Sequence, residues 1–181
     1  MRPMEKEIER ILIPRERINS RIGELGRELV EAYGERGQLT IVAILNGALI
    51  FLADLMREIP FKMRIALTTV SSYPGATVES KGPVQVAGLQ DEFQGRHVLL
   101  VDDILDTGST LRFVRSQIER REPASVRTCV LLRKTSKAPP DVVADFVGFD
   151  IEDLFVVGYG LDYNNLYRNY PHIGVLKPEV Y

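Results

Sequence analysis

Apolar residues recur along this chain with two different periods. Thr40 to Leu45 is β-branched and fully apolar, the pattern of a strand. After Asn46-Gly47, the segment Ala48 to Glu58 carries Leu49, Leu52, Leu55 and Met56 at helical spacing. Phe61 to Val70 reads as a second strand that turns polar at Thr68, Thr69 and Ser71. His97 to Val101 is again apolar without a break and is expected in mid-sheet. Thr110 opens a helix with Leu111, Val114 and Ile118 on one face and Pro123 just past its end. Val126 to Leu132 is strand, Ala144 to Gly148 and Leu154 to Gly158 are shorter strands, and Tyr159 to His172 is irregular. Upstream, Ser20 is the expected cap of a helix with Ile22, Leu25 and Leu29 inward, in which Gly23 and Gly26 each cost roughly 1 kcal/mol against alanine. Strands alternating with helices imply right-handed crossovers and a parallel sheet, so the fold class is α/β. Ser71 to Gly82 has no period; it reads as an excursion leading into a hairpin strand at Val84 to Gly88.

Composition narrows this little. The 181 residues are 45% hydrophobic and 27% charged, a globular balance in which a single domain over residues 1–181 is expected. Net charge is -2 with both signs well mixed, so no basic face suggests nucleic acid or an anionic membrane. Met1 to Arg10 lacks an apolar core, and the longest apolar stretch, near Leu45 to Leu55, is interrupted by Asn46, Gly47 and Asp54. Neither export nor membrane spanning is expected. The lone cysteine, Cys129, sits in an apolar run and reads as a buried thiol in a reducing, cytoplasmic setting. His97 reads as a strand-entry residue and His172 as a loop residue, with no metal-ligand spacing between them.

Chemistry concentrates at Val101 to Thr110, Val-Asp-Asp-Ile-Leu-Asp-Thr-Gly-Ser-Thr. A short polar turn after a buried strand, opening a helix, is where open α/β sheets bind ligands. A helix start leaves N–H groups unpaired at the positive end of the dipole. A phosphate over Asp106 to Thr110 would be held by main chain and by the Thr107, Ser109 and Thr110 hydroxyls, with Gly108 allowing close approach. The pair Asp102-Asp103 would repel a bare polyphosphate but can accept hydrogen bonds from vicinal sugar hydroxyls or engage Mg²⁺. That combination suits a phosphorylated sugar. Neither Gly-x-x-x-x-Gly-Lys-Ser/Thr nor Gly-x-Gly-x-x-Gly after a strand is present, which removes the NTPase and dinucleotide readings.

Val101 to Thr110 resembles the phosphoribosyl pyrophosphate motif of type I phosphoribosyltransferases, and Asp106 is similar to the hypoxanthine-guanine branch. Leu131-Leu132-Arg133-Lys134 and Phe155 to Asn164 resemble that branch's purine-binding segments, and the likeness runs over nearly the whole chain beyond about Gln38. The resemblance implies a mostly parallel, roughly five-stranded sheet flanked by helices, with a small hood from the N-terminal and C-terminal segments. It implies that Asp102, Asp103, Asp106, Thr107, Gly108, Ser109 and Thr110 bind ribose 5-phosphate. Asp106 would also manage the proton at purine N7. Lys134 would donate to the 6-oxo group, Phe155 would stack on the ring, the Val156 main chain would pair the base edge, and Asp162 would complete the purine site. Leu45, Asn46, Gly47 and Arg168 would hold pyrophosphate, the loop often containing a non-proline cis peptide. Asn46 departs from the basic residue many relatives carry there. Ser72-Tyr73 falls in a lid spanning about residues 71–89, and Asp102, Asp103 and Asp162 are the candidate Mg²⁺ ligands. The expected reaction joins hypoxanthine or guanine to phosphoribosyl pyrophosphate. Two rivals are another base (xanthine or a pyrimidine) and a regulator that senses phosphoribosyl pyrophosphate. A homodimer or homotetramer is expected from the resemblance.

Overall fold

A computed structural model describes residues 3–34, 38–72, 84–87, 89 and 92–181. Its elements in chain order are β1 (Ile8–Ile13), α1 (Arg15–Tyr33), β2 (Leu39–Leu45), α2 (Leu49–Leu55), β3 (Met63–Ser72), β4 (Val84–Ala87), β5 (His97–Leu105), α3 (Ser109–Glu119), β6 (Ser125–Lys134), β7 (Phe146–Ile151), β8 (Val156–Val157) and β9 (Ile173–Leu176). The main sheet has the order β4-β3-β2-β5-β6-β7. Five of its strands are parallel, and β4 runs antiparallel to β3 at one edge. A five-stranded parallel sheet flanked by helices is the architecture that the resemblance implies, and the apolar run of β5 lies mid-sheet as expected, beside β2.

Successive residues of β2 and β5 face opposite layers. Ile41, Ala43, Leu99 and Val101 pack with Ile18, Ile22, Leu25 and Leu29 of α1 and with Phe51, Leu52 and Leu55 of α2. Val42, Ile44, Val98 and Leu100 pack with Leu111, Val114 and Ile118 of α3. Cys129 is fully buried in the α1 layer, and that burial pushes its thiol well above the ordinary range.

The N-terminal helix differs from its sequence reading. It starts at Arg15, so Ser20 lies inside it and Pro14 stands at the cap, with φ -72° already close to helical. The apolar face begins at Ile18, and Nδ1 of His172 accepts a hydrogen bond from the Arg15 N–H at 3.0 Å, which ties the helix start to the C-terminal segment. Gly26 serves close packing: a Cβ there would lie 2.4 Å from Cβ of Glu58.

A second sheet of order β1-β9-β8 forms the hood, joining both ends of the chain as expected. Neither β1 nor β9 was evident from periodicity. Both are short, and β1 buries only its ends, so the charged residues between read as solvent-exposed chain. The expected lid lies largely outside the described residues; Ser72 ends β3 and Tyr73 is not among those described. Among the described residues, no helix is long and apolar enough to cross a membrane.

Candidate functional site

The acidic pair belongs to the strand rather than to the turn: β5 runs through Asp102 and Asp103 to Leu105, and α3 starts at Ser109, one residue before the expected Thr110. Gly108 occupies the cap in the left-handed region, with φ 71° and ψ 1°. A Cβ there would lie 2.9 Å from Cγ2 of Val142, so glycine meets both a backbone and a space requirement. No side chain caps α3, and Arg112 N–H donates to Gly108 O at 2.9 Å. The helix donors ahead of Arg112 face the turn, the arrangement that receives an anion. Thr107 and Ser109 hydroxyls lie 3.2 Å apart beside them.

Asp102 is buried, and its Oδ1 accepts the Asp103 N–H at 3.0 Å. Burial raises both carboxyls, Asp102 more strongly because the charge of Asp103 adds like-charge repulsion. The loop after β2 closes on this pair. The Leu45–Asn46 peptide is cis, and Asn46 O accepts the Leu49 N–H at 3.2 Å. A Cβ on Gly47 would lie 1.8 Å from Oδ2 of Asp103, and one on Gly160 would lie 2.1 Å from Gly47 O. Three segments far apart in sequence therefore touch through glycines. Together they border a cleft of about 350 Å³ whose lining includes Asn46, Gly47, Asp103, Thr107, Asp162 and Arg168. A larger groove of about 560 Å³ between α1, α2 and residues 159–171 is lined by none of the candidate site residues.

Asp162 and Arg168 face each other across the irregular segment. Arg168 Nη2 lies 2.7 Å from Asp162 Oδ1 and donates to Asn165 Oδ1 at 3.0 Å, while Nη1 donates to Gly160 O at 2.7 Å. Left-handed residues Tyr159, Asn164, Asn165 and Tyr167 bend this segment, and the Tyr159 hydroxyl donates to Asp54 of α2. Among the described residues no three acidic, histidine or cysteine side chains converge as a metal cage. Asp102, Asp103 and Asp162 line one cleft without meeting at one point.

The base-recognition candidates gather on the other side of Asp106. Lys134 ends β6 with its chain buried, and its Nζ donates to Asp106 Oδ2 at 3.3 Å and to Asp153 Oδ1 at 3.0 Å. Asp106 Oδ1 is buried, and among the described residues it has no hydrogen-bond partner. Phe155 lies stacked on Tyr181, with ring centroids 4.4 Å apart at 17°, and meets the edge of Tyr163. Leu176 N–H donates to Phe155 O at 3.1 Å, and Val156 pairs with Val175. Antiparallel pairs alternate between bonded and non-bonded, so the Val156 N–H and C=O point to the outer edge of β8, where it has no strand partner. The sequence reading missed Asp153 and Lys137, which share this cluster; Lys137 Nζ lies 2.9 Å from Asp153 Oδ2. Nothing in a charged loop residue marks it before the fold brings it to Lys134.

Comparison with known proteins gives the same picture. Residues 14–164 match the model of the phosphoribosyl transferase domain family. The chain is 43% identical over 178 residues to a hypoxanthine-guanine phosphoribosyltransferase of Bacillus subtilis, covering 98% of each. It superposes with a TM-score of 0.90 on a hypoxanthine phosphoribosyltransferase of Staphylococcus aureus, at 40% identity and 98% and 96% coverage. With the Trypanosoma cruzi hypoxanthine phosphoribosyltransferase in complex with the product IMP the TM-score is 0.89, at 36% identity and 97% and 98% coverage. The likeness thus reaches well upstream of Gln38. An uncapped helix start after a double-aspartate strand, a glycine-locked cleft and these relatives agree: the chain belongs to the type I phosphoribosyltransferase family, in the hypoxanthine-guanine branch.

Proposed function

We propose that the protein transfers the phosphoribosyl group of 5-phosphoribosyl-1-pyrophosphate to hypoxanthine or guanine, giving a purine 5′-mononucleotide and pyrophosphate in purine salvage. The observation that carries this is the placement of the Lys134–Asp106 pair, 3.3 Å apart, directly beside the uncapped start of α3. A fixed cation next to a carboxylate reads a 6-oxopurine: the ammonium donates to O6, and the Asp106 carboxylate serves the ring nitrogen that loses its proton. Adenine offers an amine where an acceptor is needed. The turn 106–110 takes the 5′-phosphate, Asp102 and Asp103 take the ribose hydroxyls, Phe155 stacks on the base and the Val156 main chain meets its edge. Asn46, Gly47 and Arg168 hold the departing pyrophosphate, with the backbone and Arg168 doing what a basic residue at Asn46 would otherwise share.

The donors fit magnesium carried by the substrate. Mg²⁺ is commonly held by one or two carboxylates together with substrate phosphates. Asp103 and Asp162 are such single carboxylates on the cleft wall, and the absence of a three-ligand cage among the described residues is in keeping with it. When bound, the ion neutralises charge developing on pyrophosphate. The chain's own groups hold base and sugar in line, which lowers the entropic part of the barrier. The setting we assign is cytoplasmic.

Initial rates with Mg²⁺ and hypoxanthine, guanine, xanthine or adenine test the reading. Turnover of hypoxanthine or guanine at least about 100-fold faster than adenine is expected, since leaving buried polar groups unpaired gives strong discrimination. Turnover of uracil alone, or phosphoribosyl pyrophosphate binding without turnover of any base, would overturn it.

A further inference from the structure

Beside Asp106 two lysines and two aspartates from separate segments interlock. Lys134 Nζ bridges Asp106 Oδ2 (3.3 Å) and Asp153 Oδ1 (3.0 Å), and Lys137 Nζ bridges Asp153 Oδ2 (2.9 Å) and Asp106 Oδ1 (4.0 Å). Lys137 is set by the turn after β6, where its N–H and that of Ala138 donate to Lys134 O at 3.1 and 2.8 Å. Asp153 lies in the connection from β7 to β8, two residues before Phe155. Hydrogen bonds from Lys137 and then Lys134 hold its carboxyl below the ordinary range, so it is anionic at neutral pH.

An ammonium has three donors. Two are committed, one to Asp106 and one to Asp153, and they fix the direction of the third. With Asp106 as its sole anion, Lys134 would be free to swing into a tighter pair with it. That pairing would withdraw the donor from a base carbonyl and occupy the carboxylate needed at the ring nitrogen. We propose that Asp153 is a positioning residue for 6-oxopurine recognition: by taking one Lys134 N–H, it keeps another aimed at O6 and keeps Lys134 from closing onto Asp106. Lys137 in turn holds Asp153. This rests on the function proposed above, and it assigns to Asp153 a contact with the lysine rather than with the substrate.

Binding of two nucleotides to the full chain separates this role from a structural one. Inosine 5′-monophosphate carries the 6-oxygen; purine riboside 5′-monophosphate lacks it. Asp153→Asn should weaken inosine monophosphate at least tenfold and change purine riboside monophosphate less than twofold. KM for hypoxanthine should rise in step while KM for phosphoribosyl pyrophosphate stays put, and Asp153→Glu should recover most of the loss. Should Asp153→Asn fold poorly, Lys137→Gln probes the same hold from an exposed site, with a several-fold loss for inosine monophosphate alone. Equal weakening of both nucleotides, or no change in either, overturns the proposal. Failure of the unaltered protein to bind inosine monophosphate sinks the enzymatic reading instead.

Discussion

At Gly47 and Gly160 the candidate cleft depends on side chains that are absent. Gly47→Ala would put a methyl 1.8 Å from the Asp103 carboxylate, and Gly160→Ala would put one 2.1 Å from Gly47 O at a φ of 103°. Each should raise KM for phosphoribosyl pyrophosphate, and Gly160→Ala should also destabilise the fold by about 1–3 kcal/mol, read from denaturant midpoints. Asp106→Asn is nearly isosteric and removes the proton acceptor. Its kcat should fall about 10²–10⁴-fold with circular dichroism unchanged. Retention of full rate would exclude Asp106 as the base. Asp103 and Asp106 were legible beforehand, because the string from Val101 to Thr110 couples chemistry to local geometry, whereas the close approach of Gly160 to Gly47 appears only in the fold. Asp153 and Lys137 were not, since a surface charge acquires a partner only when the sheet brings β6 and the β7–β8 connection together.

Among the elements, β6 and β7 show how a strand pair outside the cleft supports Lys134. Arg133 forks onto Asp150 in register across the pair, Nε to Oδ1 at 2.6 Å and Nη2 to Oδ2 at 2.9 Å. The Arg133 hydrogen bond holds the Asp150 carboxyl below its ordinary value. A depressed value means the folded state prefers the anion. The stabilisation is complete above the unfolded aspartate value of about 3.9 and is lost as pH falls through the lower folded value. Both partners are partly exposed, so Asp150→Asn should cost under about 1 kcal/mol at neutral pH, with the difference from wild type vanishing in acid. A constant difference across pH would mean that packing, not charge, is responsible. Helix α3 ties the other layer to the turn: Val114 is fully buried, and Val114→Ala, by loss of two methyl groups, should destabilise by about 1–3 kcal/mol. The strands that escaped the sequence reading are β1 and β9, which have four to six residues and little alternation; only their pairing defines them.

For the whole molecule, exposed apolar side chains occur in several segments, among them Ile11, Val143, Leu166 and Tyr181. Ile65 and Leu67 of β3, 39% and 43% exposed, pair with Ile41 and Ala43 and so face the layer that holds α1 and α2. Leu49 at the start of α2 is 52% exposed. Light scattering tests the homodimer or homotetramer expected from the resemblance: a species larger than the monomer is the expected outcome, and a monomer would refute it.

Sequence alone determined the α/β class and the mid-sheet place of β5, which follow from hydrophobic periods, and it marked Val101 to Thr110 as the candidate phosphate turn, whose chemistry is confined to ten consecutive residues. Lys134 and Phe155 were reached only through the resemblance. Tertiary structure decided the rest. It placed α1 five residues earlier than the cap signal at Ser20, because burial of Ile18 and the bond to His172 outweigh a single serine hydroxyl. It built the hood from two ends of the chain, brought Gly47 against Asp103 and Gly160, and enclosed Lys134 between two carboxylates. Those contacts join residues up to 168 positions apart, as between Ile8 and Leu176, and no short window along the chain contains both partners.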